Sequence, residues 1–431
     1  KMINRVTKTI PAGTRWFDIV HVSGRSTPVK FRNNRLHSLT ENENSGTGVR
    51  LNIEGRTGFS STNDDSNIEH IAKTAASLAR FGDIENFTLP SDTVSLFDPY
   101  DPAIETFNLQ KEIIACESAI DELTRRFPGI SIDMGITSST GSMQLANSSG
   151  VDIAYRDSYY SASISATLVL SDGARIETWE GESHTRPEPF SAMTARIAGK
   201  IEQAMTVRKI ESGMYPVLLP PPTFGSLLGL VISGFSAVPV WKGVSPMAGK
   251  QGQNLFSEKL TVRDNPLIKG SPYSIPFDAE GVNVREKFLI NNGVVETFIA
   301  DLKYAERLGI APTGNASRGY ASLPGPSFTG IEVNPGSEPH ETMLSSIKRG
   351  IVAHQFIGLG QSNTITGDFS AGMDLAYLVE DGRITGRVKD CMISGNIIKL
   401  LAGEIDLSSD RERRGSSVLP WMLFPQVNIV G

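Results

Sequence analysis

Apolar residues recur along the chain with two spacings, and each spacing predicts a kind of element. Ile68, Ile71, Ala72, Ala75 and Leu78 fall three and four apart, which places them on one side of a helix ending near Gly82. Ser66 and Glu69 ahead of it form a capping-box pattern, with Ser66 placed to accept from the Glu69 amide. Leu109, Ile113, Cys116, Ile120, Leu123 and Phe127 make the same stripe over residues 108–127, and Phe190, Met193, Ile197, Ile201 and Met205 repeat it over 190–205. Between these helices the spacing changes to two. Val49, Leu51 and Ile53 alternate with polar residues before Glu54-Gly55, which predicts a hairpin with residues 57–62. Tyr160, Ala162, Ile164, Ala166, Leu168 and Leu170 alternate with serine and threonine, and Asp172-Gly173 turns that strand into a second over 175–179.

Past residue 210 the pattern is mainly strand and turn. Asn292-Gly293 and Asp381-Gly382 each join two apolar runs, and both dipeptides suit the positive φ values of a two-residue turn. One helix is predicted over 341–349. Strands joined by hairpins rather than crossover helices imply an antiparallel sheet. The expected fold is therefore α+β, with an N-terminal α+β domain of mixed strands and helices over 1–210 and a C-terminal, mostly antiparallel β-sheet domain over 211–431.

Composition narrows the function. The 431 residues hold 41 Lys plus Arg against 47 Asp plus Glu, a net charge of −6, so no positive field favours nucleic-acid phosphates and no direct nucleic-acid binding is expected. Residues 212–241 carry no charge at all, but the apolar part, 224–238, lies between Pro220-Pro221-Pro222 and Pro239 and is shorter than a membrane span, which makes a buried core segment the expectation. No apolar signal segment follows the N-terminus. The two cysteines, Cys116 and Cys391, lie far apart, and Cys116 falls on a core stripe. A reducing cytoplasm and no membrane association are the expectation.

Catalytic motifs are scarce. The six histidines are dispersed, and His340-Glu341 opens like a zincin helix but meets no second histidine. Gly358-Leu359-Gly360 lacks the third glycine of a dinucleotide loop, and Gly234-Phe235-Ser236-Ala237-Val238 lacks the last glycine of a nucleophile elbow. Three segments look specified by more than packing. Asp278-Ala279-Glu280-Gly281 sets two carboxylates beside a glycine, either as a solvated strand entrance or as a functional corner. Pro312-Thr313-Gly314-Asn315-Ala316 is a turn cluster. Thr366-Gly367-Asp368-Phe369-Ser370 begins a polar, glycine-bracketed loop, either a capped turn or a loop carrying function.

In this order these segments resemble the TldD/PmbA family, described as modulators of DNA gyrase and as metallopeptidases. The likeness extends to Gly46-Thr47-Gly48-Val49-Arg50, to Gly58-Phe59 with Thr62-Asn63-Asp64, and to Leu289-Ile290 with Gly293, and it covers nearly the whole chain. In the TldD branch a helix carries H-E-x-x-x-H, whose histidines bind zinc, and a cysteine near the C-terminus resembles a third ligand. Here Gly229, Leu230 and Gly234 stand at those helix positions, and Arg413-Arg414-Gly415-Ser416-Ser417 offers no cysteine. Gly225, Gly229 and Ser233 instead give that helix a small-residue face, suited to close approach of another backbone.

The resemblance therefore implies a TldE/PmbA-type subunit without catalytic or metal residues of its own. Its partner would be a TldD-type, zinc-bearing homologue, with zinc expected in that partner only and no cofactor in this chain. Unfolded peptides would be the substrates, bound as an added strand. Asp278, Glu280, Gly281, Thr366, Gly367, Asp368, Phe369 and Ser370 are the candidates to face peptide or partner. The alternative is a stand-alone homodimeric binding or regulatory protein, gyrase-modulator-like, without protease activity.

Overall fold

The computed structural model describes residues 2–431, and two antiparallel-rich sheets dominate it. After α1 (Met2–Thr7), the first sheet takes β1 (Thr14–Arg32), β2 (Arg35–Leu39), β3 (Asn42–Ile53), β4 (Arg56–Thr62), β5 (Ser131–Asn147), β6 (Asp152–Val169) and β7 (Arg175–His184). Its order is β4-β3-β1-β5-β6-β7, with β2 folded back on β1. Helix α2 (Ile71–Ala79) covers β3 and β4, while α3 (Leu109–Arg126) and α4 (Ser191–Ala204) cover β5 to β7. The period-two run of β6 puts Tyr160, Ala162, Ile164, Ala166 and Leu168 inward against Ile120, Leu123, Ile197 and Ile201. Gly58 shows how closely α2 lies: a Cβ there would come within 1.9 Å of the Ala75 carbonyl oxygen.

The second sheet starts with β8 (Val207–Arg208) and β9 (Gly213–Leu219), followed by α5 (Pro221–Ile232) and α6 (Ala237–Trp241). Short strands β10 (Val262–Asp264), β11 (Lys287–Asn291) and β12 (Val294–Val295) lead to α7 (Leu302–Leu308), to the paired β13 (Ala316–Ser317) and β14 (Gly325–Pro326), and to β15 (Ile331–Val333). Helix α8 (His340–Ser345), β16 (Arg349–Ile357), β17 (Asp368–Glu380), β18 (Arg383–Val388), β19 (Met392–Asn396), α9 (Ile397–Ala402), β20 (Asp406–Arg414) and β21 (Ser417–Val430) complete it. Five of these strands close on themselves: β9 pairs with β16, β16 with β17, β17 with β19, β19 with β21, and β21 with β9. Val217, Ile351, Ala371, Ile393 and Ile429 of this ring share one core with Phe224, Leu227, Leu228 and Val231 of α5. The uncharged run of 212–241 is thus a buried strand and helix, and no helix of the described residues is long and apolar enough to cross a membrane. The α+β class holds, with parallel pairs β9–β16, β8–β18 and β15–β21 in an otherwise antiparallel sheet.

Both predicted tight turns form: Asn292 and Gly293 have φ of 46° and 82°, Asp381 and Gly382 of 48° and 75°. Three local expectations are corrected. Ser66 does not cap α2, because Asp64 takes both the Ser66 amide and its hydroxyl, and the helix starts at Ile71. The helix expected over 341–349 stops at Ser345, since the β17–β18 turn captures the Ile347 and Lys348 carbonyls through Gly382 and Asp381. Leu78 and Met205, placed on core stripes, are exposed at helix ends.

Candidate functional site

A cavity of about 760 Å³ lies where β7 and α4 of the first sheet layer meet α5, β16 and the β20–β21 turn. One wall is the proline-rich start of α5. Pro220, Pro221 and Pro222 have no amide hydrogens, so the first turn presents apolar rings and few donors. Gly225 and Ser226 continue that wall, and Thr223 Oγ1 ties the helix to β16 by donating to the His354 carbonyl at 2.6 Å.

The opposite side is charged. Along β7, Ile176, Thr178 and Glu180 face inward, so Glu180 is a carboxylate in the core phase of a strand and is buried. Lys200 Nζ reaches it at 2.6 Å, Arg196 Nε at 2.9 Å and Arg414 Nη1 at 3.1 Å. Burial raises the Glu180 pKa, but Lys200 and Arg414 outweigh it and hold the group below its ordinary value. The hydrogen bond from His184, with Arg196 beside it, pulls Glu182 down to about 2. These carboxylates stay ionised and paired, so neither is available as a general base.

Aromatic rings line the floor. His340 stacks on Trp421 with centroids 4.3 Å apart and planes 4° from parallel, and His354 meets Trp421 and Tyr377 edge-on. Burial, with Lys200 nearby, pushes the His354 pKa down to about 3, so its ring is neutral at ordinary pH. Gln355 Nε2 donates to the Glu177 carbonyl and its Oε1 accepts from the Trp179 amide, both at 3.3 Å, closing part of the outer edge of β7 as a neighbouring strand would. Trp179 itself is exposed at the mouth.

The predicted positions are dispersed. Gly229 lies exposed on α5, where a Cβ would meet nothing within 4 Å. Leu230 is half-buried, and Gly234 is buried beyond the end of the helix, beneath Ser245. None of the three lines the cavity, and the three carry no donor side chain. Cys391 lies between β18 and β19, is buried, and its thiol is pushed up to about 11 by burial, with Asp390 adding to it, so it offers no ready thiolate. The residues present at these positions do not fit a zinc ion.

Asp278 and Glu280 correct the expectation of a peptide- or partner-facing corner, and also that of a solvated strand entrance. Both are buried. Asp278 accepts from the Glu280, Val282 and Ala316 amides, while Glu280 sits 2.7 Å from Arg50 Nη1 and accepts from the Leu302 amide. Arg50 also holds Asp18, and Arg318 Nη1 donates to the other Asp18 oxygen at 2.8 Å. This network pins the first sheet to the second half of the chain. Gly281, with φ of 81°, makes the turn beneath Leu145, and Thr313 and Asn315 of the turn cluster are likewise buried. The loop expected at Thr366–Ser370 is corrected: β17 begins at Asp368 and pairs with β19 from there, with Thr366, Asp368 and Ser370 exposed and Gly367 and Phe369 buried. Asp368 accepts from Asn396 Nδ2 at 2.8 Å and Thr366 Oγ1 at 2.7 Å, which hold its carboxyl below the usual range. That segment does not line the cavity. The cavity residues Glu180, Lys200, His354 and Trp421 escaped the sequence reading; a glutamate in the inward phase of a strand was the available signal.

Family profiles match in three stretches: PmbA/TldA metallopeptidase domain 1 at residues 17–79, the central domain at 101–205 and the C-terminal domain at 212–431. An uncharacterized protein of Methanocaldococcus jannaschii is 28% identical over 411 residues, 94% of each chain. The structure superposes on a proposed modulator of a DNA gyrase from Thermotoga maritima with a TM-score of 0.90, at 24% identity over 100% of this chain and 98% of that one. It superposes on TldE from Thermococcus kodakarensis with a TM-score of 0.89, at 20% identity over 100% of both chains. At these identities the two structural likenesses establish the fold.

Proposed function

The chain belongs to the PmbA/TldA metallopeptidase family, and from that premise we propose that it is the TldE/PmbA-type, non-catalytic subunit of a two-chain zinc metallopeptidase that processes unfolded peptides. The observation that carries the reading is the donor set. By the resemblance, Gly229, Leu230 and Gly234 would stand where the family's catalytic branch has its histidines and glutamate, and the cavity beside α5 keeps its carboxylates in ion pairs. The chain's part is then structural and binding: one wall of a chamber, with peptide held by main-chain hydrogen bonds and zinc supplied by a TldD-type partner. The exposed residues Thr366, Asp368 and Ser370 at the start of β17, and the open face of α5 around Gly229, are the surfaces this reading assigns to partner or peptide.

The test is cleavage of an unfolded polypeptide by the chain alone and after mixing with a TldD-type homologue. Cleavage by the mixture, and none by this chain, is expected. Robust cleavage by the lone chain overturns the proposal. A stable homodimer that never takes up the homologue would favour the stand-alone regulatory reading, for which the gyrase-modulator description of the Thermotoga protein is the motive.

A further inference from the structure

Away from the α5 positions, which carry no ligating side chains, a group of metal-ligating side chains meets at the cavity rim. We propose that His340, Glu341 and Asp410 bind one divalent transition-metal ion there, of the zinc, cobalt and nickel class. One ligand atom from each of His340, Glu341 and Asp410 lies within 4.8 Å of the other two. His340 Nδ1 is 3.4 Å from Glu341 Oε2, close to the separation of about 3.3 Å between ligands of a tetrahedral ion with bonds near 2.0 Å. His340 Nδ1 is 2.6 Å from Asp410 Oδ2, a gap bridged by one proton. An ion takes that proton's place: the Nδ1 lone pair becomes a ligand, the proton leaves to solvent, and the carboxylate oxygen moves outward by about 0.7 Å to reach the tetrahedral separation.

The scaffold holds these groups ready. The β20–β21 ladder slips register between Leu407 and Arg411, so Asp410 sits in the irregular stretch of β20. The His340 amide donates to Asp410 Oδ1 at 2.8 Å, which anchors one carboxylate oxygen and leaves the other to ligate. Ser408 Oγ donates to the Asp410 carbonyl and accepts from the Trp421 amide, fixing the strand on both sides. Stacking on Trp421 sets the plane of the imidazole, the task that outer-shell contacts perform in metal sites. One nitrogen and two carboxylates suit borderline divalent ions, and the exposed Glu341 leaves the remaining coordination positions to water. This site is separate from the α5 positions and does not depend on the proposed function.

Trp421 makes the test direct. The chelator-treated chain is titrated with Co²⁺ alone, following tryptophan fluorescence and, separately, the heat of binding. Saturable quenching with one ion per chain is expected. His340→Gln and Asp410→Asn should weaken binding about tenfold or more. Trp421→Phe should keep the heat and lose most of the quenching. Because Asp410 also anchors α8, Glu341→Gln serves as the second variant, its side chain being mostly exposed, and it should weaken binding with the melting temperature unchanged. Binding and quenching unaltered in His340→Gln and Glu341→Gln, or no saturable binding by the wild-type chain, overturns the proposal.

Discussion

Asp301 titrates as one of a group of buried carboxylates around Glu280, whose charge raises Asp278 as well. Burial, and then the charge of Glu280, raises the Asp301 pKa to about 7. An unfolded aspartate titrates near 3.9, so between about pH 4 and 7 the folded chain binds the extra proton, and stability falls as pH rises through that window. Asp301 also caps α7, accepting from the Tyr304 amide at 2.8 Å, and asparagine caps equally well. Asp301→Asn should therefore keep α7 and flatten the fall, by up to about 1.4 kcal/mol per pH unit where the proton is released. Urea midpoints at pH 5, 6, 7 and 8 read this directly, and equal slopes in both proteins would refute it. Glu182, held near 2, and His354, held near 3, act in the other direction. The first contributes stability that is lost as pH falls from about 4.5 through 2, the second as pH falls from about 6.5 through 3.

Helix α5 shows what a sequence discloses about an element. Its apolar, proline-led run was legible as a buried segment because that information is local, whereas its being a helix came only with the resemblance. The orientation of its glycines was not legible, because exposure depends on which strands the ring supplies as neighbours. A Cβ at Gly225 would come within 2.9 Å of the Leu419 side chain of β21, whereas one at Gly229 would meet nothing within 4 Å. Gly229→Ala should therefore stabilise the isolated chain by roughly 0.5–1 kcal/mol, the helix-propensity gain, visible as a higher melting temperature. If the open face of α5 seats another backbone in an assembled complex, the same change should weaken assembly. The two hairpin turns were equally local, since Asn292-Gly293 and Asp381-Gly382 carry their positive φ in their own chemistry. The false cap at Ser66 was also a local reading, and it failed because Asp64, two residues earlier, is the stronger acceptor.

At the scale of the molecule the two halves are joined through Asp18, Arg50, Glu280 and Arg318, and that junction could not be read in advance. Arg50 belongs to a strand motif and Glu280 to a distant corner, and nothing in either segment names the other. Their burial turns a pair of apparent surface charges into an interdependent set, with Arg50 also lying over Trp16 and Phe87 at 5.3 Å. Glu280→Ala removes one partner and leaves Arg50 buried with a missing counter-charge, which typically costs 3–5 kcal/mol, about that here. The expected result is a large loss of thermal stability and earlier proteolysis between the halves. A change of less than about 1 kcal/mol, the worth of an exposed pair, would show the network to be peripheral.

The closed ring also sets an order on how the protein can be made. Strand β21 (Ser417–Val430) pairs with β9, β15, β19 and β20, so the ring has no closing member until residue 430 has left the ribosome. The first sheet, by contrast, has all its strands once His184 has emerged. During synthesis β9 and α5, with Val217, Phe224 and Leu227, must wait with their apolar faces uncovered for some two hundred residues. A nascent chain arrested in that interval should hold a folded first sheet and an open, chaperone-binding second one.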